Sequence, residues 1–202
     1  MINQLLNPYH YTATEQNCIA LAANNWDSGR NCIKELKVNL NRHFNTSQNE
    51  KCCYCGLYYD RTGRGELEHI APKGAEYYPE FTYTAKNLAK ACQLCNSSSM
   101  KHTFDSIIRP QPLNYDLCDF KIVHPYFDDH NFHYSWKFGT LRVAISINNN
   151  SEKAKESIKL FELDSEARTK ARAQQRNQER IELFYNIPHA VKERIMQVIR
   201  HT

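Results

Sequence analysis

Apolar side chains recur three to four residues apart in the N-terminal part of the chain. This spacing places them on one face of an α-helix and predicts that the helix packs against a core. The residues on that face are Ile33, Leu36, Leu40 and Phe44. Asp27 or Ser28 is the expected N-cap of this helix. We therefore predict an N-terminal helical segment over residues 1–50.

The pattern changes to alternation in the C-terminal half, which predicts two strands with one buried face. The apolar positions are Phe132, Tyr134, Trp136 and Phe138 in the first strand and Leu141, Val143, Ile145 and Ile147 in the second. Gly139-Thr140 lies between them and suits a two-residue hairpin turn. Helices are expected around Ile158, Phe161 and Leu163, after Asp164 and after Pro188. Residues 106–202 are predicted to form this hairpin and these helices.

The intervening region, residues 51–105, has few continuous apolar segments but carries two Cys-x-x-Cys pairs. The pairs are Cys52 with Cys55 and Cys92 with Cys95. Four thiolates in two such pairs complete a tetrahedral zinc site, and a structural Zn²⁺ ion stabilises a region with so little to bury. Cys53 is the alternative to Cys52, but only Cys52 has the two-residue spacing to Cys55. The cysteines expected to be buried or idle thiols are Cys18, Cys32, Cys53 and Cys118.

Bulk properties narrow the class of protein. The 202 residues suit one domain with appendages, and the net charge of +4 is compatible with a polyanionic partner such as DNA. No apolar run approaches the length of a membrane span, and the first residues lack the segments of a secretory signal. We therefore expect a cytoplasmic protein with no membrane partner. Paired cysteines in that compartment favour metal binding over disulfides.

An acidic residue, a histidine and two asparagines accompany the cysteine pairs. The order along the chain is Glu68-His69, Asn87-Leu88, Cys92-x-x-Cys95-Asn96 and Lys101. This stretch resembles the HNH nuclease family, whose pattern is an acidic residue and His, then Asn-Leu, then Cys-x-x-Cys followed by His or Asn, then Lys. The resemblance implies a ββα-metal core braced by the four-cysteine zinc, and metal-dependent endonucleolytic hydrolysis of DNA phosphodiester bonds. Glu68 and Asn96 stand where Asp and His are commoner, and both keep oxygen ligands.

These side chains also suit phosphodiester hydrolysis by their own chemistry. His69 titrates near neutral pH and is the candidate general base. The Glu68 carboxylate and the Asn96 amide oxygen are ligands that a hard divalent ion, Mg²⁺ or Mn²⁺, prefers. Neighbouring residues of a strand point to opposite faces, so either a local bend brings Glu68 and His69 together or only one takes part directly. By the resemblance, Asn87 fixes the loop backbone and orients the histidine.

Basic side chains are candidates for phosphate contacts. Lys101 and His102 follow the second cysteine pair and either touch phosphate or are solvated. The arginines that recur every fourth residue, on one helix face, are Arg168, Arg172, Arg176 and Arg180. Three interpretations of this arginine face stay open: a solvated surface, a DNA-backbone contact, or a docking surface for a partner protein.

A second histidine group, His124, His130 and His133, lies beside two aspartates. We interpret it as the entry to the hairpin rather than as a metal site, because a His-x-x-His spacing on a strand places the two rings on opposite faces.

The prediction is an α+β protein with a zinc-braced HNH core over residues 51–105. Its flanks resemble the HNH nucleases found beside ATPases in bacterial anti-phage systems of the Septu and retron type. That resemblance implies an effector nuclease of a defence system, with an ATPase subunit as partner. The alternative is a non-catalytic zinc module that binds nucleic acid or a partner protein, which would give Glu68, His69 and Asn96 no joint purpose.

Overall fold

The computed structural model describes residues 2–59, 63–74, 76–111, 114–137 and 142–186, together with Pro188, Val191 and Glu193. These residues form a mixed α+β structure, as predicted, with small antiparallel sheets. The helices are α1 (Ala13–Leu21), α2 (Asn31–Ser47), α3 (His130–His133), α4 (Glu152–Phe161) and α5 (Glu166–Asn186). The strand pairs are β1 (Gly65–His69) with β2 (Leu88–Cys92), β3 (Ile107–Arg109) with β4 (Asp119–Phe120), and β5 (Tyr134–Lys137) with β6 (Ala144–Ile147). None of the helices in this described part of the chain has both the length and the apolar character needed to cross a membrane.

The predicted N-terminal helix is α2, and its four periodic apolar residues are buried. Its N-cap is Arg30, which makes no side-chain cap bond, so the prediction of Asp27 or Ser28 is wrong. Residues 1–50 are also not helical throughout. A separate helix, α1, begins after Thr12, whose hydroxyl and the Glu15 carboxylate close a capping box.

Cys18 and Cys32 form a disulfide between α1 and α2, so the expectation that both are thiols is wrong. The packing of α1 against α2 brings their Cα atoms to 6.1 Å, which is within reach of a disulfide. The sequence spacing alone does not reveal that packing. Cys53 and Cys118 are free thiols, as expected.

The predicted hairpin is β5 and β6, in which Tyr134 pairs with Ile147 and Trp136 with Ile145. Phe132 does not belong to it, because Asp129 caps the short helix α3 and Phe132 lies exposed within that helix. Residues 138–141, with the predicted Gly139-Thr140 turn, lie outside the described residues. So does most of the helix predicted after Pro188. Helix α4 ends at Phe161 and Glu162 follows it in a left-handed conformation, so Leu163 lies beyond the helix.

The β1–β2 hairpin separates two hydrophobic cores. Directly paired residues share a face of a sheet, whereas successive residues of one strand point to opposite faces, so neighbouring residues of β1 face different cores. The helix-side face, toward α1 and α2, carries Leu67, His69, Leu88 and Lys90. The cysteine-side face, toward the larger core that includes the cysteine pairs, carries Glu66, Glu68, Ala89 and Ala91.

Turns follow β2 where a ββα core would have its helix. Residues 93–106 contain no helix. Asn96 N–H donates to the Cys92 carbonyl at 3.1 Å, and the Ser97 hydroxyl donates to the Leu94 carbonyl at 2.8 Å. Three consecutive serines begin at Ser97, and serine hydroxyls compete with helical hydrogen bonds. The local sequence therefore favours turns here.

Candidate functional site

The two Cys-x-x-Cys pairs converge beside the cysteine-side face of the hairpin. The sulfur atoms of Cys52, Cys55, Cys92 and Cys95 all lie within 4.8 Å of one another. Cys55 Sγ lies 3.9 Å from Cys92 Sγ. Four zinc–sulfur bonds of about 2.3 Å in a tetrahedron place the sulfurs about 3.8 Å apart. The cluster can therefore hold a zinc ion with little adjustment, and Cys52 rather than Cys53 completes it.

Helix α5 contributes an arginine to this cluster. Arg168 is buried, and its Nη2 donates to Cys95 Sγ at 3.3 Å and lies 3.6 Å from Met100 Sδ. A Zn²⁺ ion with four thiolates carries two net negative charges. The Arg168 guanidinium offsets part of that charge and orients one ligand, which is the role of a hydrogen bond from outside the ligand shell.

Gln48 joins the first cysteine pair to β2. Its Nε2 donates to the carbonyls of Lys51 and Lys90, at 2.8 and 2.7 Å, and its Oε1 accepts from Lys90 N–H at 2.8 Å. Cys53 N–H also donates to the Lys90 carbonyl, at 3.1 Å. The polar stretch that ends α2 therefore helps to set the position of the cysteine pairs.

Glu68 and His69 lie on opposite faces of β1. The pairing of Glu68 with Ala89 and of His69 with Leu88 continues a regular register to the end of the strand. No bulge brings the two side chains together within β1 or β2, both of which are fully described. Lys101 touches both residues, because its Nζ lies 3.2 Å from Glu68 Oε1 and donates to the His69 carbonyl at 3.2 Å.

Glu68 is held at one oxygen and free at the other. Tyr54 donates its hydroxyl to Oε1 at 2.9 Å, and Lys101 contacts the same oxygen. Burial raises the pKa of the Glu68 carboxyl, and Lys101 and Tyr54 act against that rise. The structure gives Oε2 no hydrogen bond, and Oε2 is not one of the buried, unpartnered polar atoms of the described residues. It therefore keeps contact with solvent.

His69 is 8% exposed and packs edge-on against Trp26, with 4.5 Å between ring centroids. Its Nε2 lies 3.1 Å from the Thr82 carbonyl oxygen. Because a carbonyl can only accept, Nε2 carries the proton of the neutral ring and Nδ1 carries the lone pair. Burial lowers the pKa of His69 to about 3, with Lys73 as the next cause. Nδ1, like Glu68 Oε2, has no partner and is not fully buried in the described structure.

Asn87 fixes the loop that follows His69. Its Oδ1 accepts from Ala71 N–H at 2.7 Å, and its Nδ2 donates to the carbonyls of Ala71 and Phe81, at 3.1 and 2.9 Å. The side chain is fully buried. Phe81 precedes Thr82, so Asn87 holds the peptide unit next to the one whose carbonyl accepts from His69.

The other candidates near the motif are less closely grouped. Asn96 donates its Nδ2 to Glu66 Oε2 at 2.9 Å, on the face that also bears Glu68. The sharing of a divalent ion by Glu68 and Asn96 stays a prediction. Lys101 is 1% exposed and paired with Glu68, so it is neither solvated nor presented to a phosphate, contrary to both sequence interpretations. His102 is exposed and remains a candidate phosphate contact.

The arginine face of α5 needs a correction. Arg168 and Arg172 are buried, and Arg172 donates to the carbonyls of Val143 and Leu163. Neither side chain faces solvent, DNA or a partner, because each is used inside the chain. Arg176 pairs with Glu179 at 2.9 Å and Arg180 is exposed. The three interpretations therefore stay open only for Arg176 and Arg180.

The second histidine group does not converge on a metal site. Among the described residues, the four cysteines are the one group of histidine, cysteine and acidic side chains placed to hold a metal. His133 Nδ1 lies 2.6 Å from the Ser151 hydroxyl. Both ring nitrogens of His130 are buried without a partner. His124 is fully buried beside Tyr115.

The chain matches no known protein-family model and no curated protein. The family resemblance of residues 51–105 therefore rests on the motif residues themselves. Sequence reasoning did not find Trp26, Thr82 or Tyr115 as parts of the site, and it predicted a phosphate contact for Arg168 rather than its contact with Cys95. Thr82 acts through its backbone carbonyl, which has no signal in a sequence. Trp26 lies far along the chain from His69, and Tyr115 lies far from Asn87, to whose Oδ1 its hydroxyl donates at 2.9 Å.

Proposed function

We propose that the chain is a metal-dependent endonuclease of the HNH type that hydrolyses DNA phosphodiester bonds, with His69 as general base. The observation that carries the proposal is the tautomer of His69. The Thr82 carbonyl accepts a hydrogen bond from Nε2–H, so Nδ1, which is in contact with solvent, is the basic nitrogen. A histidine that serves only packing would also need an acceptor for its buried N–H, so the feature that favours a base is Nδ1, which has no partner and keeps contact with solvent.

The residues for a catalytic divalent ion fit by their donor chemistry. Glu68 Oε2 is a carboxylate oxygen without a partner, and the Asn96 amide oxygen has no described hydrogen bond while its nitrogen is bound to Glu66. Both are hard oxygen donors, which Mg²⁺ and Mn²⁺ prefer. When bound, such an ion supplies charge stabilisation at the leaving oxygen.

The proton transfer would be carried out by the chain's own residues. His69 Nδ1 takes the proton of the attacking water, and the Thr82 carbonyl stabilises the imidazolium that forms. The pKa of about 3 keeps His69 a free base at neutral pH. A bound phosphate is negatively charged and would raise that pKa toward a range useful for catalysis. Because Glu68 and His69 use opposite faces, the phosphate is expected at the end of β1, where both side chains can be reached.

A role as the effector nuclease of a bacterial anti-phage system, together with an ATPase subunit, rests on the resemblance of the flanks. The ββα form of the core rests on the resemblance of the motif residues, and turns rather than a helix follow β2.

A non-catalytic zinc module is the second candidate function. Two observations favour it: His69 is only 8% exposed, and Asn96 contacts Glu66 rather than Glu68. Such a module would bind DNA or a partner protein without cutting. Both candidates share the zinc cluster, so the decisive difference is chemistry at His69.

Nicking of supercoiled plasmid with Mg²⁺ or Mn²⁺ tests the proposal. We expect His69→Ala to lower the rate by ~10²–10⁴-fold, as removal of a general base does, with fold and zinc content retained. The matched control is His43→Ala. His43 lies on α2, and its Nε2 is also 3.0 Å from a backbone carbonyl, that of Asn7. Close to parental nicking by His69→Ala would place the base elsewhere, with His102 next to test. DNA binding without nicking by the parent protein would support the zinc module.

A further inference from the structure

A buried tyrosine and a buried histidine extend the hydrogen-bond network of Asn87 beyond the motif. The Tyr115 hydroxyl lies 2.9 Å from Asn87 Oδ1 and 2.9 Å from His124 Nε2. All three side chains are almost wholly excluded from solvent. Tyr115 and His124 both belong to the segment after the HNH-like region, so this network joins that segment to the candidate site.

The protons in this network can be placed without ambiguity. His124 Nδ1 accepts from the backbone N–H groups of Tyr126 and Phe127, at 3.1 and 3.3 Å. Since a backbone N–H only donates, Nδ1 is unprotonated and Nε2 of the neutral ring carries the proton. His124 therefore donates to the Tyr115 oxygen. The Tyr115 hydroxyl in turn donates to Asn87 Oδ1, which can only accept.

The network ends at His69, the proposed general base. Asn87 Nδ2 donates to the Phe81 carbonyl at 2.9 Å, and the next carbonyl, that of Thr82, accepts from His69 Nε2 at 3.1 Å. Fixing the amide of Asn87 by its oxygen also fixes which way its nitrogen points. The orientation of Asn87 thereby determines the position of the group that sets the tautomer of His69.

We propose that His124 and Tyr115 are positioning residues that orient Asn87 and, through the Phe81–Thr82 backbone, hold His69 in its Nδ1-basic tautomer. The kinetic part of this proposal rests on the proposed nuclease function, whereas the structural part does not. It also gives His124 a purpose that the metal interpretation of the histidine group does not supply.

Tyr115→Phe removes the hydroxyl and keeps the ring, which packs edge-on against Phe81 with 5.0 Å between centroids. The matched control is Tyr126→Phe. The Tyr126 hydroxyl is also buried, and it donates to the Leu88 carbonyl, one residue from Asn87, at 2.8 Å. We expect Tyr115→Phe to lower kcat for plasmid nicking ~10–100-fold, as loss of an outer orienting partner does, with KM and zinc content unchanged. Tyr126→Phe should leave kcat unchanged. Equal losses of kcat in both variants would show that Tyr115 serves only packing.

Imidazole nitrogen NMR on the full chain gives a readout that does not need activity. In the parent protein, we expect His124 and His69 each to carry a proton on Nε2 and none on Nδ1. Tyr115→Phe should change the His69 nitrogen shifts and speed hydrogen exchange of the Asn87 amide, and Tyr126→Phe should do neither. A proton on His124 Nδ1 in the parent, or unchanged His69 and Asn87 signals in folded Tyr115→Phe, would overturn the proposal. If the parent fails to nick DNA while these NMR changes occur, the nuclease function fails and the positioning network stands.

Discussion

The two faces of the β1–β2 hairpin are held in different ways. On the helix-side face, Leu67 and Leu88 pack into the smaller core, and His69 lies against Trp26. On the cysteine-side face, Glu68 depends on a lysine and a tyrosine, and the adjoining alanines pack in the core that contains the cysteine cluster. One face is maintained by apolar burial and the other by charges and thiols.

This difference separates what a metal would stabilise from what it would not. Apolar contacts with α2, together with the Cys18–Cys32 disulfide, need no ligand. Four thiols at metal-binding distance, three of them buried, gain little from one another, but they gain a large binding energy from a zinc ion. Tyr54 lies between Cys52 and Cys55, so the support of Glu68 depends on the cysteine cluster. Loss of the metal should therefore affect the Glu68 face first.

The largest effect is expected from loss of zinc. Structural zinc contributes ~10–16 kcal/mol in small zinc-binding peptides, which is comparable to the whole ~5–15 kcal/mol stability of a typical domain. We expect Cys92→Ser or a chelator to remove zinc and unfold the cysteine-side core. Elemental analysis and thermal melting would measure this. In a Trp136→Phe background, Trp26 is the remaining tryptophan and its fluorescence reports whether the helix side unfolds later.

Cys118→Ser is the control for that experiment, because Cys118 is a free thiol outside the cluster. It should leave zinc content unchanged. A well-folded parent protein that holds no zinc would contradict the prediction. So would simultaneous loss of both cores, which would show that the two faces are not independent.

A smaller effect is expected at the buried ion pair. Lys101→Met leaves the Glu68 carboxylate without its cation, and breaking a buried pair in this way costs ~3–5 kcal/mol. The double variant Glu68→Gln/Lys101→Met removes both charges and should recover most of that loss. Denaturant unfolding would measure all three free energies. Lys121→Met is the control, because Lys121 pairs with Asp105 at 3.3 Å near the surface and such pairs contribute ~0–1 kcal/mol. Equal losses in the single and double variants would show that packing, not charge, is lost.

The features that were predictable from sequence are those carried by local spacing. The spacing of the cysteine pairs predicted their cluster, and the three-to-four-residue period of apolar side chains predicted α2. Glu68 gave no sign of Lys101 as its partner, because that contact depends on the turns after β2. Arginines every fourth residue indicate one helix face, but not whether that face is buried, and Arg168 and Arg172 proved to be buried. Three-dimensional partners of polar residues were therefore the part that sequence reasoning could not supply.

The smallest effect on stability is expected from substitutions in the more exposed part of α5, at Arg176 and Arg180. Arg176 pairs with Glu179 three residues along the same helix, and Arg180 is exposed. Reversing both to Glu should change the free energy of unfolding by only ~0.5 kcal/mol, as for most surface substitutions. Arg172→Glu would instead place a charge against the buried carbonyls that Arg172 now contacts, so it no longer serves as a test of binding.

The salt dependence of DNA binding decides the role of Arg176 and Arg180. Each neutralised phosphate contributes ~0.9 to the slope of log affinity against log salt concentration. If both arginines contact DNA, the double variant should bind more weakly and its slope should fall by about 1.8. An unchanged slope with loss of a partner complex would identify this part of α5 as a docking surface. If neither DNA affinity nor complex formation changes, the two arginines are a solvated face, and the functional charge of α5 is the buried Arg168 beside Cys95.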